Sequence, residues 1–144
     1  MRKAIISLII VLLLPHFAPA ASEFSWEGVY VYSEGGETVT GVSFGYTRTI
    51  TVKRLPGGQR VAEVRDDGRM TTGDIFVCDV RTGNSNKTMT LDYRGVKRAE
   101  GGAIEPKAGE FMTLTRVMVK GKQRFSVEGE FYPENPEPYF EKIR

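Results

Sequence analysis

The chain has 144 residues, with 20 Lys and Arg against 18 Asp and Glu, one His and one Cys, which fits one domain. One cysteine excludes an internal disulfide framework, and one histidine leaves little for imidazole chemistry. The formal charge of +2 speaks for a nucleic-acid or membrane partner only if the excess belongs to the folded part.

The first element is Met1-Arg2-Lys3, the apolar run from Ala4 to Leu14, Pro15, and the small-x-small triplet Ala18-Pro19-Ala20. A basic start, an apolar middle and a small-residue site predict a secretory signal peptide over residues 1–20, with one domain over 21–144. The run is well short of the roughly 20 apolar residues of a spanning helix, so the mature form is expected to have no membrane span and a periplasmic or secreted location. Cleavage would remove Arg2, Lys3 and His16, leaving 18 cations, 18 anions and no histidine. A nucleic-acid partner then loses its support, and metal or haem ligation by imidazole is excluded. No cofactor is expected.

Residues 21–144 contain 13 Val and 12 Thr but 3 Leu and 5 Ala, a balance that favours strands over helices. Phe24 to Tyr32 reads as the first strand, with Phe24, Trp26, Gly28, Tyr30 and Tyr32 on one face and Val29 and Val31 on the other. Glu34-Gly35-Gly36-Glu37 is a predicted turn. The second strand runs from about Val42 to Leu55, with Phe44, Tyr46, Arg48, Ile50 and Val52 on one side and threonines opposite. Pro56-Gly57-Gly58 turns it into a short third strand, Arg60 to Arg65, ended by the turn signal Asp66-Asp67-Gly68. Thr71 to Arg81 and Thr88 to Arg94 are the fourth and fifth, with Gly73 a candidate bulge and Gly95 to Gly109 a long irregular connection. Glu110 to Val119 and Arg124 to Tyr132 follow; a proline-rich tail from Pro133 to Pro138 precedes a last strand, Tyr139 to Ile143. Eight strands joined mostly by tight turns predict an all-β, antiparallel, eight-stranded up-and-down barrel, with a β-sandwich as the alternative.

Ser25-Trp26-Glu27-Gly28-Val29-Tyr30 resembles the Trp- and Gly-bearing first strand of lipocalin-like (calycin) barrels, where the Trp plugs one end. The pattern of residues 21–144, including Pro138-Tyr139-Phe140-Glu141, also resembles an uncharacterised family of small secreted bacterial proteins. The resemblance implies a barrel with an internal cavity; it implies no catalytic residues.

Among candidate chemistry, Cys78 lies between Phe76 and Val80 on one strand face and reads as a buried structural thiol. Glu128 and Glu130 share a polar face with Ser126, which suggests solvation, and Asp66-Asp67 is accounted for by turn formation. No Gly-x-Ser-x-Gly elbow, phosphate-binding glycine loop or cysteine pair is present. Two arginines stand out. Arg48 interrupts the face of Phe44, Tyr46, Ile50 and Val52, and Arg116 lies among Met112, Leu114 and Met118. If these faces line the barrel, each guanidinium needs an acid such as Glu63 or Asp79, or the head group of an anionic ligand. The alternative places each arginine at a rim or on the outer wall, its stem covering apolar neighbours.

These readings predict a non-enzymatic exported protein. In one version an apolar or acidic small molecule lies inside the barrel against Trp26, Tyr30, Phe44, Tyr46, Arg48, Met112 and Arg116. In the other the barrel is filled by its own side chains and acts as a protein-binding module or periplasmic enzyme inhibitor through exposed loops, chiefly residues 95–109 and 133–138.

Overall fold

The computed structural model describes residues 23–37, 39–41, 43–68, 73, 75–83, 85–98, 109–129 and 138–144. They form eight strands: β1 (Gly28–Glu37), β2 (Ser43–Arg54), β3 (Arg60–Gly68), β4 (Ile75–Thr82), β5 (Thr88–Arg98), β6 (Gly109–Val119), β7 (Lys122–Gly129) and β8 (Tyr139–Lys142). Each pairs antiparallel with its chain neighbour, and β8 returns to β1, which closes the barrel. Closure leaves no face-to-face pair of sheets, so the sandwich alternative does not apply. The expected signal peptide lies outside the described residues.

Alternation along the strands decides what is inside. Tyr30 and Tyr32 of β1, Ile50 and Val52 of β2, Ala62 and Val64 of β3, and Phe76 and Cys78 of β4 are buried, as are Met89, Leu91, Leu114, Phe125 and Phe140 farther round. The pairing places Val52 beside Ala62, Ile50 beside Val64 and Arg48 beside Asp66. Near Leu91 the β5–β6 register slips by one residue, so Phe111 and Met112, adjacent in sequence, are both buried.

Several boundaries differ from expectation. β1 continues through Glu34-Gly35-Gly36-Glu37, because long β2 supplies partners from Tyr46 to Ser43 for all four. β3 likewise continues through Asp66-Asp67-Gly68, which pair with Arg48, Thr47 and Tyr46; ladder bonds outweigh the local turn tendency of Asp-Gly. β5 extends to Arg98, so residues 95–98 of the expected loop are strand, while 99–108 lie outside the described residues, as do 130–137 of the tail. Gly73 precedes β4 instead of bulging within it.

The barrel's two ends are unlike. At one, the short turns 55–59, 83–87 and 120–121 meet the start of β1 and the last residues, Ile143 and Arg144. At the other attach the connections 38–42, 69–74, 99–108 and 130–138. We call these the sealed end and the loop end.

Candidate functional site

Arg48 is 8% exposed, the one charged residue among the fully buried set of the described chain. It sits inside because β2 alternates strictly and both of its neighbours on that face, Tyr46 and Ile50, point inward. A guanidinium there needs an acceptor, and Asp66 directly across on β3 supplies it. Arg48 Nε donates to Asp66 Oδ1 and Nη2 to Oδ2, both at 2.6 Å, a bidentate fork. The Tyr46 hydroxyl also donates to Asp66 Oδ1, at 3.0 Å. Burial works against the Arg48 charge, but the Asp66 bonds and field outweigh it and hold the guanidinium above its ordinary pKa. Burial likewise pushes the Tyr46 hydroxyl up, with the Arg48 charge acting in the opposite direction.

The acids expected to serve the arginines are engaged elsewhere. Glu63 accepts from Lys97 Nζ at 2.8 Å on the outer wall, and Asp79 meets Gln59 and Arg94. Asp66, assigned from sequence to a turn, is the true partner. It was legible in principle: inward Ala62 and Val64 extend to position 66, and the Arg54–Arg60 turn sets 48 opposite 66.

Around this pair at the loop end lies an aromatic layer. The Arg48 guanidinium carbon is 5.7 Å from the Phe111 ring centre, and Phe111 packs against Phe76 and Tyr93. Tyr32 contacts both Tyr46 and Phe140, and its hydroxyl donates to Glu34 at 2.6 Å. Below the layer the barrel is filled: Ile50, Ala62, Val64, Cys78, Met89, Leu91, Met112, Leu114 and Phe125 are 0% exposed, which leaves no water-sized void along their side chains. Cys78 is buried among them, and burial pushes its thiol up to about 12.

Trp26 closes the sealed end at 1% exposure, its ring packed on Phe24, Tyr30 and Phe125. The Tyr30 hydroxyl donates to the Trp26 carbonyl at 2.8 Å. Gly28 makes this closure sterically possible. Its φ is +139°, and a Cβ there would lie 1.9 Å from the Arg144 carbonyl oxygen, where the C-terminal residues cross β1. Arg116 lies at the sealed end, where with Lys87, Met118 and Gln123 it borders an open pocket at the rim. Its guanidinium carbon lies 4.5 Å from the Phe24 ring centre at this rim, while Met118, two residues on, is 69% exposed.

The candidate ligand residues are therefore divided between two ends. Trp26, Tyr30 and Arg116 belong to the sealed end, Tyr46 and Arg48 to the loop end, and Met112 to the filled middle. The Phe44 side chain lies outside the described residues. Sequence reading missed Asp66 and Phe111; the second depends on a register slip that alternation does not announce. No protein-family model matches the chain, and neither does any curated protein or solved structure.

Proposed function

We propose that the protein is an exported, non-catalytic binding module that recognises a protein partner at the loop end, with the barrel as a rigid frame. The observation that carries this reading is the filled middle: residues from six strands, β2 to β7, at 0% exposure leave an enclosed ligand no room there. The Arg48 fork is occupied by Asp66, so the group best suited to orient an acidic ligand already has its counter-ion. The end of β5, the start of β6 and the end of β7 set the attachment points of connections 99–108 and 130–138 side by side. Strands with fixed ends can present such connections without themselves moving.

Affinity capture from an envelope extract, using the chain as its producing cells release it, tests the reading. A partner should be retained by the natural protein and lost when residues 99–108 are replaced by a short Gly-Ser turn, with the melting temperature of the barrel unchanged. A fatty acid that co-purifies in native mass spectrometry and raises the melting temperature would overturn it in favour of the small-ligand reading.

A further inference from the structure

The charge balance of residues 21–144 conceals a separation. At the sealed end Lys53, Lys87, Lys120, Lys122 and Arg144 are exposed, and none of them pairs with a carboxylate among the described residues. The acids at or near this end are Glu23, Glu27, Asp79, Asp92 and Glu141, and all but Glu23 are already engaged: Glu27 by Arg54 and Arg60 at 2.7 and 3.2 Å, Asp79 by Gln59 and Arg94, Asp92 by Arg81 and Glu141 by Arg124. At the loop end Glu37 and Glu128 are exposed. The two longest connections that attach there carry, in sequence, Glu100, Glu105, Glu130, Glu134 and Glu137 against Lys107.

Apolar side chains accompany the cations. Leu55 (39% exposed) follows Lys53 and Arg54 in the β2–β3 turn, Met118 (69%) precedes Lys120 and Lys122 in the β6–β7 turn, and Ile143 (55%) precedes Arg144. Among the large apolar residues of the described chain most exposed to water, only Val39 lies at the other end. Lys120 has a φ of +49°, in the left-handed region that favours Gly or Asn, so a cation stands at the hairpin tip despite a backbone cost. Between these turns the end is sealed by Trp26 and Phe24, and the chain N-terminal to Glu23 joins at this same end.

We propose that the sealed end docks on an anionic lipid bilayer. Lysines and Arg144 meet headgroup phosphates, while Leu55, Met118 and Ile143 enter the headgroup boundary. Unpartnered cations account for attraction to any polyanion; apolar side chains between them favour a surface with an apolar layer beneath it. Docked in this way, the barrel points its loop end away from the membrane.

Vesicle co-sedimentation of the chain as isolated from its producing cells tests this, with phosphatidylglycerol and phosphatidylcholine vesicles compared. Binding is expected to phosphatidylglycerol only, and to fall steeply as salt is raised, since screening shortens from about 10 Å at 0.1 M to about 3 Å at 1 M. A basic residue near an anionic surface is worth about fivefold in partitioning, so Lys120→Ala with Lys122→Ala should weaken binding by at least about tenfold. Met118→Ser should weaken it severalfold while leaving the salt dependence in place, and Lys97→Ala, toward the other end, should change nothing. Circular-dichroism melts confirm that each variant is folded; all these positions are exposed. Salt-independent binding to both vesicle types would trace to an apolar anchor and overturn the proposal. So would an equal loss in Lys97→Ala, or duplex DNA binding as tight as phosphatidylglycerol and insensitive to Met118→Ser.

Discussion

Asp66→Asn isolates the charge opposite Arg48. Asparagine keeps an oxygen for the Tyr46 hydroxyl and the Arg48 Nε, but it presents an amide donor where Arg48 Nη2 also donates, and it removes the negative charge. Removing one partner of a buried ion pair costs about 3–5 kcal/mol, since the remaining charge is left without compensation. The side chains of Arg48 and Asp66 are 9% and 16% exposed, so water reaches the pair a little, and the loss should lie near the lower bound, about 3 kcal/mol. In a domain of this size that is roughly a 10–15 °C fall in Tm. Urea melts of wild type, Asp66→Asn, Arg48→Met and the double variant give the coupling energy, and the double variant, with neither charge, should recover most of the loss. If Asp66→Asn stays within about 0.5 kcal/mol of wild type, the pair is effectively solvated and the account of a buried fork is wrong.

Gly28→Ala should destabilise by more than about 1 kcal/mol, because its methyl would meet the Arg144 carbonyl oxygen; amide exchange in β1 and β8 should rise first. Cys78, with its thiol pushed up to about 12, should resist thiol reagents at pH 8 until the protein unfolds. The same group gives a sign for pH dependence. An acid whose folded pKa lies above its unfolded value of about 8.5 contributes stability that is complete below that value and is lost as pH rises toward 12. Tyr30, Tyr32 and Tyr46, all raised first by burial, act in the same direction above about pH 10. Melts should therefore fall from pH 8 to 11, and a flat profile would contradict this.

Much of the barrel could be read from alternation, because a closed sheet has one interior and each strand must turn every second residue toward it. Tyr30 and Tyr32, Ile50 and Val52, and Phe76 and Cys78 all lie on the face expected of them. What alternation does not carry is pairing. Asp66-Asp67-Gly68 has strong turn chemistry, and only the long partner strand β2 keeps it extended. The inward arginine was visible, but Asp66 was hidden by its turn chemistry, and preferring it to Glu63 or Asp79 needs the register that the Arg54–Arg60 turn sets. Phe111 was hidden by the slip beside Leu91, and the opposition of a basic and an acidic end by the balance of 18 cations against 18 anions over residues 21–144, a sum that keeps no record of place.

The ring is completed by its shortest strand. β8 has four residues, and with Ile143 and Arg144 it bonds to β1 near the opposite terminus of the domain: the Val29 amide donates to the Arg144 carbonyl and the Ile143 amide to the Val29 carbonyl. A chain delivered amino-end first, from a ribosome or through a translocation pore, cannot close the ring until β8 and residues 143–144 emerge to pair with β1. The open sheet must then wait with Tyr30, Phe125 and their neighbours uncovered. Shutting becomes a late event set by the largest sequence separation in the molecule, and losing the last few residues would leave a ribbon with two raw edges where a barrel should be.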